Sequence, residues 1–331
     1  MLTDRVPRIR LGQLPTPLEE MPRLTAALGG PRLFIKRDDQ TGLATGGNKT
    51  RKLEFSVADA LAQGADTLIT LGGVQSNHCR QTAAAAARCG LRCLLVLRGH
   101  APAAWNGNLL LDRLLGAEVV FSGDASREAM AEEVARAEAA AGRRPLVIPL
   151  GASNAVGAVG FVAAMEELAD QLEARQLRAD RIVFGSSSFG TQAGLCVGAK
   201  ALGFPGRIEA IAIDSSRETL QAGVASLAAA TIQRLGLAIS IAPDEVLGHD
   251  DYLGGGYAVM GGPEREAIAL TARTEGILLD PVYTGRAMAG LIDLIRRGAI
   301  GRDETVVFWH TGGAAALFAY ADQLLEGEHT S

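Results

Sequence analysis

The stretch from Arg181 to Gly203, RIVFGSSSFGTQAGLCVGAKALG, decides the fold class. A short apolar run, a cluster of glycine and serine, and a small-residue segment of helical character read as strand, tight loop and helix in succession. Outward from it the same unit recurs. Runs at 33–36, 67–71, 93–97, 118–121, 146–149, 209–213 and 305–309 have strand composition, as does 181–184 itself. Helical patterns lie between them, such as 49–62, where Leu53, Val57 and Leu61 recur every four residues, and 127–141. This alternation predicts an α/β fold, a parallel sheet covered by helices on both faces. Three more glycine pairs stand at such turns: Gly46-Gly47 before Asn48-Lys49, Gly72-Gly73 after TLITL, and Gly312-Gly313 after VVFWH. In sheets of this kind ligands sit where strand carboxyl ends meet helix N-termini.

The chain of 331 residues exceeds the ~250–300 at which a single core stops growing, which predicts two domains. With 48% hydrophobic and 21% charged residues it has the material for a sizeable core. The balance of 32 basic against 37 acidic residues, net charge −5, removes the electrostatic drive for nucleic acid or an anionic membrane. Cys79, Cys89, Cys93 and Cys196 form no CxxC pair and the five histidines no HExxH, so neither zinc nor a disulfide framework is indicated. The N-terminus MLTDRVPRIR lacks the apolar core of a signal peptide, and a cytoplasmic protein is expected. The uncharged window 145–165 is long enough to suggest a membrane span, but Pro149, Gly151, Ser153, Asn154 and Gly157 divide it into strand, loop and helix.

The glycine-serine loop 185–194 suits a phosphate, since small residues let backbone N–H groups converge and the helix N-terminus adds partial positive charge. It lacks GK[ST] and GxGxxG, so neither nucleoside triphosphate nor dinucleotide is specified, and an ordinary flexible turn also fits. Lys49 opens a helix after two glycines, where the helix dipole penalises an ammonium and favours the nucleophilic neutral amine. A solvated first-turn lysine is the plain alternative. In GGVQSNHCRQTAAAA, Gln75, Ser76, Asn77 and His78 stand together at a helix start, suited to a carboxylate or a ring oxygen. Capping accounts for one of the four. Tyr257, Tyr283, Thr284 and Thr311 lie in further glycine-rich segments, and a buried tyrosine is more often a packing residue than a catalyst.

Five segments in order, KRDDQTGLATGGNKTRKLEF at 36–55, LGGVQSNHCRQTAA at 71–84, the GSSSFGTQAG loop, LLDPVYTGRAMAGLID at 278–293 and HTGGAAALFAY at 310–320, closely resemble one family. It is the D-cysteine desulfhydrase and 1-aminocyclopropane-1-carboxylate deaminase family of pyridoxal-phosphate (PLP) enzymes, whose fold is tryptophan-synthase-β-like (fold type II). The resemblance implies a large cofactor domain of residues 1–55 plus 161–331, a small domain of 56–160, and a homodimer. It implies that Lys49 holds PLP as a Schiff base and that Asn77 bonds the ring oxygen. Ser188, Phe189, Gly190 and Thr191 would hold the phosphate, with Asn48 as an additional contact, and Thr311 would face the pyridine nitrogen. Ser76, Asn77 and His78 would take the substrate carboxylate, with Tyr257, Tyr283 and Thr284 around the substrate. Lys49, Ser76 and Tyr283 would be the catalytic groups.

Thr284 stands in DPVYTG where cyclopropane deaminases have glutamate, and desulfhydrases have threonine there. Phe189 and Met260 replace residues that are usually small and proline, and both are expected to reshape the pocket. The expected reaction is β-elimination, D-cysteine giving pyruvate, sulfide and ammonia. L-cysteate sulfo-lyase, cyclopropane deaminase and a non-catalytic PLP sensor are the alternatives.

Overall fold

Ten strands and the helices between them are described over residues 1–325 in the computed structural model. The strands are β1 (Leu18–Glu20), β2 (Arg32–Arg37), β3 (Thr67–Gly72), β4 (Arg92–Leu97), β5 (Glu118–Phe121), β6 (Pro145–Ile148), β7 (Arg181–Ser186), β8 (Arg207–Ala212), β9 (Leu247–His249) and β10 (Thr305–His310). They form two sheets, one of six strands in the order β1-β2-β10-β7-β8-β9 and one of four in the order β5-β4-β3-β6. All pairings are parallel except β1 with β2. The eight runs read as strands in the sequence are all strands. The two that escaped it, β1 and β9, are three-residue edge strands, too short to show a period.

Apolar helices fill the space around the sheets. The small sheet carries one core of Leu53, Val57, Leu68, Ala83, Leu95 and Ile148, contributed partly by the helices Lys49–Ala62 and Asn77–Cys89. The 145–165 window resolves as expected into β6, a short 3₁₀ turn and the helix Ala155–Ala174. That helix is apolar because protein surrounds its first half. A Cβ on Gly160 would lie 2.3 Å from the Arg51 carbonyl oxygen, and one on Gly194 would lie 2.3 Å from that of Ala158. Glycine is what lets these helices touch. Among the described residues no helix is long and apolar enough to cross a membrane.

A buried ionic cluster fixes the helix Lys49–Ala62 against the large sheet. The Arg51 guanidinium, 2% exposed, donates to both Asp38 oxygens at 2.8 Å, to Glu167 Oε1 at 2.8 Å and to Thr16 Oγ1 at 2.9 Å. Lys36 on β2 joins it, donating to Glu167 and to the Thr16 carbonyl. Full pairing is what makes such burial tolerable, and it orients the first turn of that helix, where Lys49 stands.

Candidate active site

One cavity of about 330 Å³ opens where the carboxyl ends of strands from both sheets converge. Its size lies within the ~300–1,000 Å³ of small-molecule sites. Gly73, Arg98 and Leu150 follow β3, β4 and β6, while Ser187, Asp214 and Thr311 follow β7, β8 and β10. Lys49, Asn48, Ser76, Asn77, His78, Ser188, Phe189, Thr191, Tyr257 and Tyr283 line it as well. Lines of sequence far apart thus meet in one place, but Gln75, Gly190 and Thr284 are not among the lining residues.

The loop before Lys49 is built around its glycines. Gly46 has φ 72°, and a Cβ there would overlap the Asp39 carbonyl oxygen at 1.8 Å. Arg80, buried in the neighbouring helix, donates to the Gly46 carbonyl at 2.8 Å and to Thr45, while the Asn48 amide donates to the Thr311 carbonyl at 2.9 Å. Lys49 Nζ then donates to Asn48 Oδ1 at 3.0 Å, and Asn48 Nδ2 to Thr191 Oγ1 at 3.1 Å. The Lys49 ammonium is pushed down to about 8, chiefly by burial, with the Arg80 charge acting the same way and Asp280 opposing both. The helix position was the reason read from sequence; burial and Arg80 are what the fold adds.

At the helix Asn77–Cys89, Ser76 is the cap, its Oγ accepting from the Cys79 amide at 3.2 Å. Asn77 Oδ1 accepts from Asn108 Nδ2 at 2.9 Å, which leaves the Asn77 amide as a donor, close to Gly313. Gln75 is turned away from the cavity: its Oε1 accepts from the Asn108 amide at 2.8 Å and its Nε2 donates to Asn106, so it shapes a loop. His78 is buried with Nε2 2.7 Å from Thr70 Oγ1 on β3, and burial beside Lys49 and Lys52 holds its pKa well below the usual histidine range. It is a neutral imidazole and brings no positive charge for a carboxylate.

Tyr257 and Tyr283 hydroxyls are 2.7 Å apart, with ring planes at 70°. Burial raises both phenols above their ordinary range, so both stay protonated at neutral pH. Thr284, expected beside the substrate, is 1% exposed and donates its hydroxyl to Asp280 Oδ1 at 2.7 Å. It locks the turn that presents Tyr283 instead. Met260 is likewise buried in the large-sheet core, away from the cavity. Phe189 does line the cavity, but in a left-handed conformation, φ 65°, with its ring against Gly223, where a Cβ would lie 2.5 Å away.

The model of the pyridoxal-phosphate-dependent enzyme family matches residues 9–312. The chain belongs to that family. A solved structure described as the "ACC deaminase homologue" is 39% identical, with a TM-score of 0.90, covering 98% of this chain and 97% of that one. A fungal L-serine ammonia-lyase from Rhizomucor miehei is 18% identical with a TM-score of 0.69, covering 98% and 99%, and shares the fold.

The residues present fit this family's cofactor, pyridoxal 5′-phosphate. A Cβ on Gly190 would lie 2.7 Å from Ser153 Oγ and 2.8 Å from Lys52 Nζ, so glycine keeps open a cradle at the start of the helix Gly190–Leu202. The amides of Thr191 and Gln192 lack intrahelical acceptors there, and Ser188 Oγ lies 2.8 Å from Ser153 Oγ. Lys52, absent from the sequence reading, donates to the Gly151 carbonyl and to Ser153 Oγ, each at 3.1 Å. Burial beside Lys49 lowers its pKa well below the ordinary lysine range, and a phosphate dianion would supply the missing counter-charge. Its signal was present: three residues after Lys49, it shares that helix face. Arg98, Arg127 and Asp214 line the cavity without any local motif to flag them.

Proposed function

We propose that this enzyme catalyses β-elimination on a β-substituted amino acid, taking D-cysteine to pyruvate, sulfide and ammonia. One observation carries the reading: a half-buried lysine with a pKa of about 8 shares its cavity with two tyrosine hydroxyls 2.7 Å apart. When bound, the cofactor supplies the electron sink that acidifies the substrate Cα proton. The Lys49 amine, its pKa lowered to about 8 by burial, is matched to take that proton. One tyrosine of the pair donates to the other and leaves a second phenolic proton for the departing sulfur. Ser76 Oγ, already accepting from Cys79, keeps its own proton for the substrate carboxylate, next to the Asn77 amide. Released 2-aminoacrylate then hydrolyses to pyruvate and ammonium.

In this reading Lys49 binds the cofactor, Asn77 meets its ring oxygen and Thr311 its ring nitrogen. Ser188, Phe189, Gly190 and Thr191 hold the phosphate, with Asn48 linking Lys49 to Thr191. The enzyme acts as a cytoplasmic homodimer, with residues 56–160 as the smaller domain; all four strands of the small sheet fall inside that segment.

Deamination of 1-aminocyclopropane-1-carboxylate is the second reading, favoured by the 39% identity to the "ACC deaminase homologue". Product analysis separates the two. The PLP-loaded protein is expected to release pyruvate and sulfide from D-cysteine; 2-oxobutyrate from the cyclopropane amino acid in its place would replace the reading. A cofactor spectrum that shifts with amino acids while no product forms would mark a sensor.

A further inference from the structure

We infer that Arg98 and Arg127 form a second anion-binding subsite in this cavity, one that takes an acidic group carried on the substrate Cβ. The inference rests on the β-elimination reading but not on its D-cysteine assignment, which it replaces with an amino acid bearing an acidic β-substituent. Both arginines reach the cavity from the small sheet, Arg98 directly after β4 and Arg127 at the first position of the helix Arg127–Ala140, after β5. The phosphate cradle, formed where the start of the helix Gly190–Leu202 meets Ser153 after β6, has its own cation in Lys52. The two guanidiniums are therefore surplus to cofactor binding.

They are also surplus to the fold. Among the described residues the Arg98 side chain has no hydrogen bond and no ion pair. Arg127 has one ion-pair partner, Glu128 at 3.7 Å, which is 61% exposed and well hydrated, and its charge also acts on Asp214. A cation in the first helical turn opposes the helix dipole, so Arg127 does not serve its own helix either. A single carboxylate lines the cavity against them, Asp214, which accepts from Ser187 Oγ at 2.7 Å. Two guanidiniums against one carboxylate leave net positive charge beside Ser76 and Asn77, where the substrate carboxylate docks.

The chemistry rewards that placement. In an amino acid bearing a β-sulfonate, loss of the Cα proton is followed by cleavage of the Cβ–S bond, and its electron pair departs with sulfur as sulfite. The leaving group passes from one negative charge to two. Water then converts 2-aminoacrylate to pyruvate and ammonium, with no oxidant or reductant required. Guanidiniums aimed at the growing charge stabilise the transition state more than the bound substrate, and their planar forks fit sulfonate, phosphate or carboxylate oxygens in pairs. A cysteine thiol offers them no such charge before departure.

The test uses the PLP-loaded protein and the Arg98→Ala, Arg127→Ala and double variants. Isothermal titration compares both enantiomers of cysteate with L-alanine; O-phospho-L-serine and L-aspartate show whether the subsite takes any acid or sulfonate alone. Each arginine removed should weaken cysteate relative to alanine by about 10-fold or more, the scale of a lost charge-assisted hydrogen bond. Pyruvate release is followed in parallel with cysteate and 3-chloroalanine, and the ratio of their kcat/KM values should fall about 100-fold in the double variant. A binding ratio unmoved by the double substitution overturns the subsite, and an elimination ratio also unmoved while 3-chloroalanine is still turned over leaves the reaction standing without it. Selective cysteate binding with no pyruvate from any substrate overturns the reaction and keeps the subsite.

Discussion

Asp280→Asn is the substitution that most directly couples the fold to the chemistry. Asp280 is fully buried, and its two oxygens accept four hydrogen bonds. Oδ1 takes the Thr284 amide and hydroxyl, each at 2.7 Å, and Oδ2 takes the Val282 and Tyr283 amides, each at 3.0 Å. An asparagine keeps one acceptor atom and turns the other into a donor. With its NH₂ toward Val282 and Tyr283 it strands two amide donors, and with its NH₂ toward Thr284, whose hydroxyl can turn to accept, it strands the Thr284 amide alone. At ~1–3 kcal/mol for each unmet buried donor, the variant in its better placement should lose about 2 kcal/mol of stability. The Asp280 charge also holds the Lys49 pKa up against burial and Arg80, so neutralising it should move Lys49 below its present value of about 8. Urea unfolding measures the first effect. The pH dependence of amine labelling at Lys49, read by peptide mass spectrometry on cofactor-free protein, measures the second. A loss under about 1 kcal/mol with an unmoved Lys49 titration would refute both the hydrogen-bond assignment and the electrostatic link.

Lys49→Ala should abolish the internal cofactor absorbance and all turnover, while leaving thermal unfolding close to that of the parent; retained turnover would remove Lys49 from the centre of the site. Arg51→Met should cost about 3–5 kcal/mol in chemical denaturation, because it strands Asp38 and Glu167 without their guanidinium, and a near-neutral result would show that Lys36 alone balances them. Asp112, buried with neither oxygen hydrogen-bonded, has its pKa raised by burial from 3.8 to about 8, against the pull of Arg80. Between those values the folded state holds a proton that the unfolded chain has released, so this group's contribution falls as pH rises through the window. Asp112→Asn should therefore gain on the parent steadily from pH 5 to 8, by at most about 4 kcal/mol over those three units, and a difference in melting temperature that ignores pH would contradict the assignment.

Eight of the ten strands and the helices bearing Lys49 and Asn77 were legible because each carries a period or a glycine boundary in its own residues. What escaped is non-local. β1 and β9 exist only because a longer strand beside them offers unpaired backbone groups. Thr284 illustrates the same limit in the site: its neighbours in DPVYTG suggest a pocket residue, yet its hydroxyl is claimed by Asp280, four positions earlier, once the chain turns. Gln75 stands among three cavity residues and is drawn off by Asn108, which no local pattern ties to it.

Charge is harder to read than shape for a related reason. A lysine or arginine signals function by lacking a partner or lying in low dielectric, and both are properties of the assembled molecule. Lys49 was found through its motif, but the burial and the Arg80 charge that bring its pKa to about 8 come from packing. Arg98 and Arg127, 29 positions apart in unremarkable sequence, become neighbours of one cavity only because β4 and β5 pair in parallel, Leu97 opposite Phe121, and so end at the same edge of the small sheet. On the proposed reading, the residues that would hold the cofactor carry motifs, whereas those that would select the substrate are assembled by the register of two strands, and substrate identity has to be sought there.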